Sequence, residues 1–136
     1  MKIHSEQEML DYGRDFAAKN PHVIELVGDV GAGKTTFVRG LATGLGVTEP
    51  ITSPSFTISK SYALPNNHGY LIHYDFYRLP DPGIMLEDLQ ENLQNPDNII
   101  VIEWGKSVAN LLPDDRTTIT INYTEDGREI ASWNFI

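Results

Sequence analysis

Residues 28–35, Gly-Asp-Val-Gly-Ala-Gly-Lys-Thr, constrain this chain more than any other segment. They satisfy every fixed position of G-x-x-x-x-G-K-[ST], a match expected by chance about once in a few hundred chains of this length. The flanks matter as much. Val23-Ile24-Glu25-Leu26-Val27 is short and largely apolar and reads as a buried strand. Phe37, Val38, Leu41, Ala42 and Leu45 recur at helical spacing, so a helix starts near Lys34 and ends at Gly44 or Gly46. Strand, glycine-rich turn and helix in that order bring backbone N–H groups and the positive end of a helix dipole to one point. Glycines let those N–H groups approach an anion with no Cβ in the way. The segment therefore reads as a phosphate-binding loop. Lys34 is placed to reach the β- and γ-phosphates of a nucleotide, and the Thr35 hydroxyl is a hard oxygen ligand suited to Mg²⁺.

The rest of the chain alternates in type. Ser5-Glu6-Gln7-Glu8 is a capping box before the helical spacing of Met9, Tyr12, Phe16 and Ala17, and Asn20-Pro21 stops that helix. Residues 50–56 read as a loop. Strands are expected at 57–64 and 70–75, joined by a turn at 65–69, with a loop at 76–83 and a short helix at 84–93. Ile99-Ile100-Val101-Ile102 is a second strongly apolar strand, 106–112 a helical turn, and 117–123 with 128–135 a hairpin across Glu125-Asp126-Gly127. The expected fold is α/β, a P-loop NTPase-like three-layer sandwich whose mixed, mainly parallel sheet carries antiparallel hairpin additions. At 136 residues the chain suits one domain over 1–136.

Composition excludes several classes of function. There is no cysteine, which removes disulfides, thiolate chemistry and Cys-based zinc sites, and the four histidines lack zinc-ligand spacing. No apolar run is long enough to span a membrane, and Met1-Lys2-Ile3-His4-Ser5-Glu6 lacks the apolar core of a signal peptide, so a cytoplasmic location is expected. The net charge of −9 divides unevenly, −1 over residues 1–74 and −8 over 75–136. So acidic a second half repels phosphate backbones, and autonomous nucleic-acid binding is not expected. The acidity reads as a well-solvated surface or as a docking face for a basic partner.

Nucleotide hydrolysis needs an acid near the metal and a group that orients water. Glu103 ends the run Ile99–Ile102, at the carboxyl end of a core strand, where open α/β sheets bind ligands. It suits holding Mg²⁺ through a water or polarising the attacking water; the alternative is a surface acid at a strand end. Asp75 ends the strand 70–74 and reads as a metal-side acid, a base or a turn cap. Arg78 suits either charge compensation or an ion pair, and His73 reads as a packed or hydrogen-bonded histidine rather than a ligand. The hydroxyl-rich loop with Thr52, Ser53 and Ser55 suits sensing a γ-phosphate, or simply connecting two elements. Trp104 reads first as a core residue, with a nucleotide or partner contact as the alternative. The N-K-x-D segment that reads guanine is missing, which favours ATP. An enzyme that hydrolyses ATP, a nucleotide-gated assembly module and a small-molecule kinase with Asp75 as base are the three readings left.

These pieces resemble the TsaE family, also called YjeE, over nearly the whole chain. The segments that carry the likeness are Glu6-Gln7…Gly13, Gly28 to Phe37 with Arg39-Gly40, Ser53-Pro54-Ser55-Phe56-Thr57, His73-Tyr74-Asp75-Phe76-Tyr77-Arg78-Leu79, Ile102-Glu103-Trp104, Leu112-Pro113 and Gly127-Arg128-Glu129. The resemblance implies a bacterial Mg²⁺-dependent ATPase needed for threonylcarbamoyladenosine at position 37 of tRNAs reading codons that start with A. It implies ATP-controlled docking on, and resetting of, a TsaB–TsaD complex, with tRNA met only through those partners. By likeness, Gly31, Ala32, Gly33, Lys34, Thr35 and Thr36 bind nucleotide, Glu6 and Arg128 approach base and sugar, and Thr35 and Glu103 hold the metal. Asp75, Glu103 and Lys34 would be catalytic, and Ser53, Ser55 and Trp104 would lie on the switch or partner side. The chain departs from the family pattern at Ser55 (usually Thr), Gly105 (commonly Pro), Met9 (frequently Thr) and residues 83–85, Gly-Ile-Met, which break an acidic-leucine pattern.

Overall fold

The computed structural model describes residues 1–28, 32–52, 54, 59–65, 68–76, 83 and 85–133. Along them run β1 (Lys2–Ile3), α1 (Glu6–Phe16), β2 (Val23–Val27), α2 (Lys34–Gly44), β3 (Ser59–Ala63), β4 (Tyr70–Asp75), α3 (Met85–Leu93), β5 (Ile99–Glu103), β6 (Thr117–Thr124) and β7 (Gly127–Trp133). 3₁₀ segments occupy Ala17–Lys19 and Gly105–Leu111. The strands form one sheet in the order β1-β7-β6-β2-β5-β4-β3. The centre, β6-β2-β5-β4, is parallel throughout, while β3, β7 and β1 pair antiparallel. This is the α/β sandwich with a parallel centre and antiparallel additions that the sequence pattern predicts.

Both faces of the central strands are buried, which explains why β2 and β5 read as continuous apolar runs. Ile24, Leu26, Leu71, Val101, Ile119 and Ile121 face a core shared with Phe16, Phe37, Val38 and Leu41 of α1 and α2. Val23, Ile72, Tyr74, Ile100 and Ile102 face the other way, against Leu89 of α3, Val108 of the last 3₁₀ segment and Leu112 just after it. Each such aliphatic side chain, once fully buried, contributes about 1.5–3 kcal/mol. The period of two along β4 and β5 also fixes where polar residues point: His73, Asp75 and Glu103 alternate with Ile72, Tyr74 and Ile102, so they lie on the α2 face.

Local chemistry sets the element ends. Ser5 Oγ accepts from the Glu8 N–H at 3.1 Å, as a capping box requires, but the Glu8 carboxylate reaches the His4 N–H at 2.8 Å, one residue before the cap. Asn20 closes the first helical stretch in the left-handed conformation. After α2, the Gly46 N–H bonds Thr43 O and the Val47 N–H bonds Ala42 O, the paired bonds of a Schellman motif with Gly46 at φ 86°. Helices α1 and α2 touch backbone to backbone: a Cβ on Gly40 would stand 3.0 Å from Leu10 Cα and closer still to the Leu10 carbonyl.

Three expectations shift. β1 is too short for a periodic signal; it exists because Lys2 and Ile3 pair with Glu129 and Arg128 of β7. The 117–135 hairpin turns on Glu125-Asp126 alone, with Gly127 already paired to Thr124. The expected strand 57–64 runs over Ser59–Ala63, residues 57 and 58 lying outside the described residues.

Candidate functional site

Three strand ends meet beside the start of α2. In register, Leu26 of β2 and Asp75 of β4 both stand opposite Glu103 at the end of β5. Lys34 opens α2 after Gly33, whose φ of 108° is a conformation glycine adopts without strain. Its side chain folds back, so that Nζ donates to the Gly28 carbonyl at 2.6 Å and lies 3.6 Å from Glu103 Oε1. The same ammonium sits 4.4 Å from the centre of the Trp104 ring. Lys34 and Glu103 are both buried, at 6% and 4% exposure, so each charge compensates the other. The second carboxylate oxygen of Glu103 is hydrogen-bonded to Nε2 of His73, which is wholly buried.

Of the two readings of Trp104, core residue or surface contact, the structure favours the second. The residue follows β5 in the left-handed region, at φ 57°, and remains 37% exposed.

A cavity of about 530 Å³ opens next to this cluster, within the range of small-molecule sites. Ala32, Gly33 and Thr36 form its floor, with Glu6 and Met9 from α1, Arg39 from α2 and Arg128 from β7 as walls. Arg128 is held in place: its Nε donates to the Ala32 carbonyl at 3.1 Å, and its guanidinium lies 4.1 Å from the Tyr123 ring centre. Glu6 and Arg39 approach to 3.8 Å across the cavity. Met9, at the position where the family pattern has Thr, is buried and packs beneath Gly33. It supplies an apolar surface where a hydroxyl would supply a hydrogen bond.

The sequence-selected residues thus fall in two adjoining groups. Lys34, Asp75, Glu103 and Trp104 gather at the strand ends; Ala32, Gly33, Thr36, Glu6 and Arg128 line the cavity; Thr35 lies between them in the first turn of α2. Gly31, Ser53, Ser55 and Arg78 lie outside the described residues. Thr52 is tied to β3, its side chain to Lys60 and its carbonyl to Tyr62 at 3.4 Å. Sequence reasoning missed Arg39 and the partnership of His73 with Glu103. Strand periodicity carried the second: His73 stands two residues before Asp75 and shares its face.

Among the described residues no three His, Asp or Glu side chains converge as a protein-only metal cage. Glu103 and Asp75 at the strand ends and Thr35 in the first turn of α2 are side chains with oxygen donors beside Lys34.

The family model described as "Threonylcarbamoyl adenosine biosynthesis protein TsaE" matches residues 3–130. The tRNA threonylcarbamoyladenosine biosynthesis protein TsaE of Haemophilus influenzae is 34% identical, covering 94% of this chain and 84% of that protein. The protein of the same description from Bacillus subtilis is 41% identical over 84% of this chain and 70% of its own length. A crystal structure of Bacillus subtilis YdiB superposes with a TM-score of 0.69 at 29% identity, covering 95% of this chain and 79% of that one.

Proposed function

Since the chain belongs to the TsaE family of tRNA threonylcarbamoyladenosine biosynthesis, we propose that it is a Mg²⁺-dependent ATPase whose nucleotide state governs a TsaB–TsaD transferase complex. One observation carries the ATPase reading: a buried lysine at the head of α2, held between the Gly28 carbonyl and a carboxylate at the end of a central strand. Lys34 exchanges those contacts for β- and γ-phosphate oxygens, because phosphate offers more negative charge than one carboxylate. Backbone N–H groups of Gly31, Ala32 and Gly33, with the dipole of α2, cradle the same phosphates. The cavity takes the nucleoside, Arg128 and Glu6 approaching base and sugar and Thr36 the phosphate side.

Thr35 and Glu103 hold the metal, which when bound neutralises charge on the β- and γ-phosphates. Glu103, freed from Lys34, faces the γ-phosphate side of the site. Asp75, in register beside it, is the second carboxylate available to orient the attacking water. Exposed Trp104 serves the side where a partner reads the nucleotide state, a role that family likeness also gives Ser53 and Ser55. One domain over 1–136 suffices for this, in the cytoplasm. No described helix is long and apolar enough to cross a membrane. The net charge of −9 suits contact with RNA through partners rather than directly.

Calorimetric titration with Mg²⁺ and a non-hydrolysable ATP analogue, paired with phosphate release from ATP, tests this reading. Binding by wild type and by Glu103→Ala and Asp75→Ala, with turnover lost in both variants, is the expected pattern. Phosphate release by Lys34→Ala at the wild-type rate would exclude the site.

A further inference from the structure

A buried imidazole in this site has no part in the scheme so far. β4 reads Tyr-Leu-Ile-His-Tyr-Asp, and its interior residues Leu71, Ile72 and Tyr74 are core side chains with 2% exposure or less. His73 sits among them fully buried, between Lys60 of β3 and Val101 of β5 in register. Its Nδ1 has no hydrogen-bond partner among the described residues, a deficit an aliphatic side chain would avoid. Its Nε2 meets Glu103 Oε2. A hydrogen on Nδ1 would be a buried donor without acceptor, at about 1–3 kcal/mol, so the hydrogen belongs on Nε2 and is donated to the carboxylate.

Resting on the ATPase reading above, we propose that His73 is a positioning residue that fixes the Glu103 carboxylate plane. The terminal torsion of glutamate is broad, so one contact leaves the carboxylate free to turn. With Oε2 tied to His73, Oε1 is the oxygen left facing Lys34 at 3.6 Å and, with nucleotide bound, facing the metal side. His73 acts through Glu103, which accounts for a polar residue kept in an apolar strand with one nitrogen unsatisfied.

The test combines turnover with a nucleotide-free readout. His73→Leu keeps the volume and removes the donor; His73→Gln keeps a donor. Phosphate release by His73→Leu falls roughly 10–100-fold in kcat, the loss typical of a displaced catalytic group, while KM stays within about twofold. His73→Gln restores most of the rate. In a Glu103→Gln background His73→Leu causes no further loss, since two residues acting as a unit are non-additive.

Independently, Trp104 emission in nucleotide-free protein, with Trp133→Phe leaving Trp104 as the lone tryptophan, reports the Lys34 ammonium over its ring. His73→Leu and Glu103→Gln shift it alike, and the double variant shifts it no further. If His73→Leu fails to fold, wild-type turnover and emission in His73→Gln support the proposal, and loss of both in folded protein overturns it. A folded His73→Leu with wild-type kcat and emission, or losses that multiply with Glu103→Gln, overturns it too. Coupled emission shifts in a protein that releases no phosphate would uphold the positioning and remove the ATPase reading instead.

Discussion

Gly40→Ala sets two physical effects of opposite sign against each other. In a helix interior alanine is favoured over glycine by about 1 kcal/mol, so propensity alone predicts a more stable protein. The contact with α1 predicts the reverse. The added Cβ would stand 2.9 Å from the Leu10 carbonyl carbon and 3.0 Å from Leu10 Cα, where ordinary contact is 3.4–4 Å. These are backbone atoms, so no side-chain rotation relieves the overlap, and α1 must move by roughly half an ångström or more. Overpacking of this kind costs about 1–3 kcal/mol, here toward the upper end, and about 2 kcal/mol is lost after the propensity gain. For a chain of this size that lowers Tm by roughly 7 °C. Circular-dichroism melting measures it. Because Glu6 and Met9 of α1 wall the cavity, nucleotide affinity falls with stability. A Gly40→Ala protein melting at or above wild type would refute the close-packing argument.

Other perturbations separate the parts of the structure. Lys34→Ala abolishes measurable nucleotide binding in calorimetry and lowers the melting temperature, because it leaves the buried Glu103 carboxylate with the His73 hydrogen bond but no countercharge from Lys34. Arg128→Ala removes the cavity wall tied to Ala32 and weakens nucleotide binding about tenfold by the same titration, equivalent to about 1.4 kcal/mol. Tyr74→Phe loses the hydroxyl that donates to Asp88 at 2.6 Å and accepts from Asn92 at 2.8 Å, lowering stability by about 1–2 kcal/mol in denaturant titration. Burial first, and the Asp88 hydrogen bond second, push the Tyr74 pKa up, so the folded state holds this proton more tightly than the unfolded state does. Its contribution is complete below the ordinary tyrosine value of about 10 and declines as pH rises beyond it, an alkaline loss that Tyr74→Phe abolishes.

The central parallel strands and both long helices were legible because periodicity and caps agree with the tertiary fold there. β2 and β5 are largely apolar since both faces of the central strands are buried, and Ser5 and Gly46 mark helix ends by side-chain and backbone chemistry that is local. β1 was not legible, since two residues carry no period and their pairing partner lies more than a hundred residues away. In the site, Lys34, Asp75 and Glu103 followed from motif and strand-end position. For Trp104 the sequence leaves core and surface readings open, because its exposure depends on a left-handed backbone at the strand's end, which sequence does not announce for a tryptophan. Arg39 and His73 required knowing which faces of α2 and β4 look toward the ligand side, information held by the register rather than by any motif.

Phosphate release from Mg-ATP, measured for this chain alone and with a purified TsaB–TsaD pair, tests the central claim most directly. The account predicts slow release alone, stimulation by the pair, and loss of both in Lys34→Ala. Release that is indifferent to the pair would contradict the partner-governed mechanism, and no release under either condition would contradict the ATPase itself.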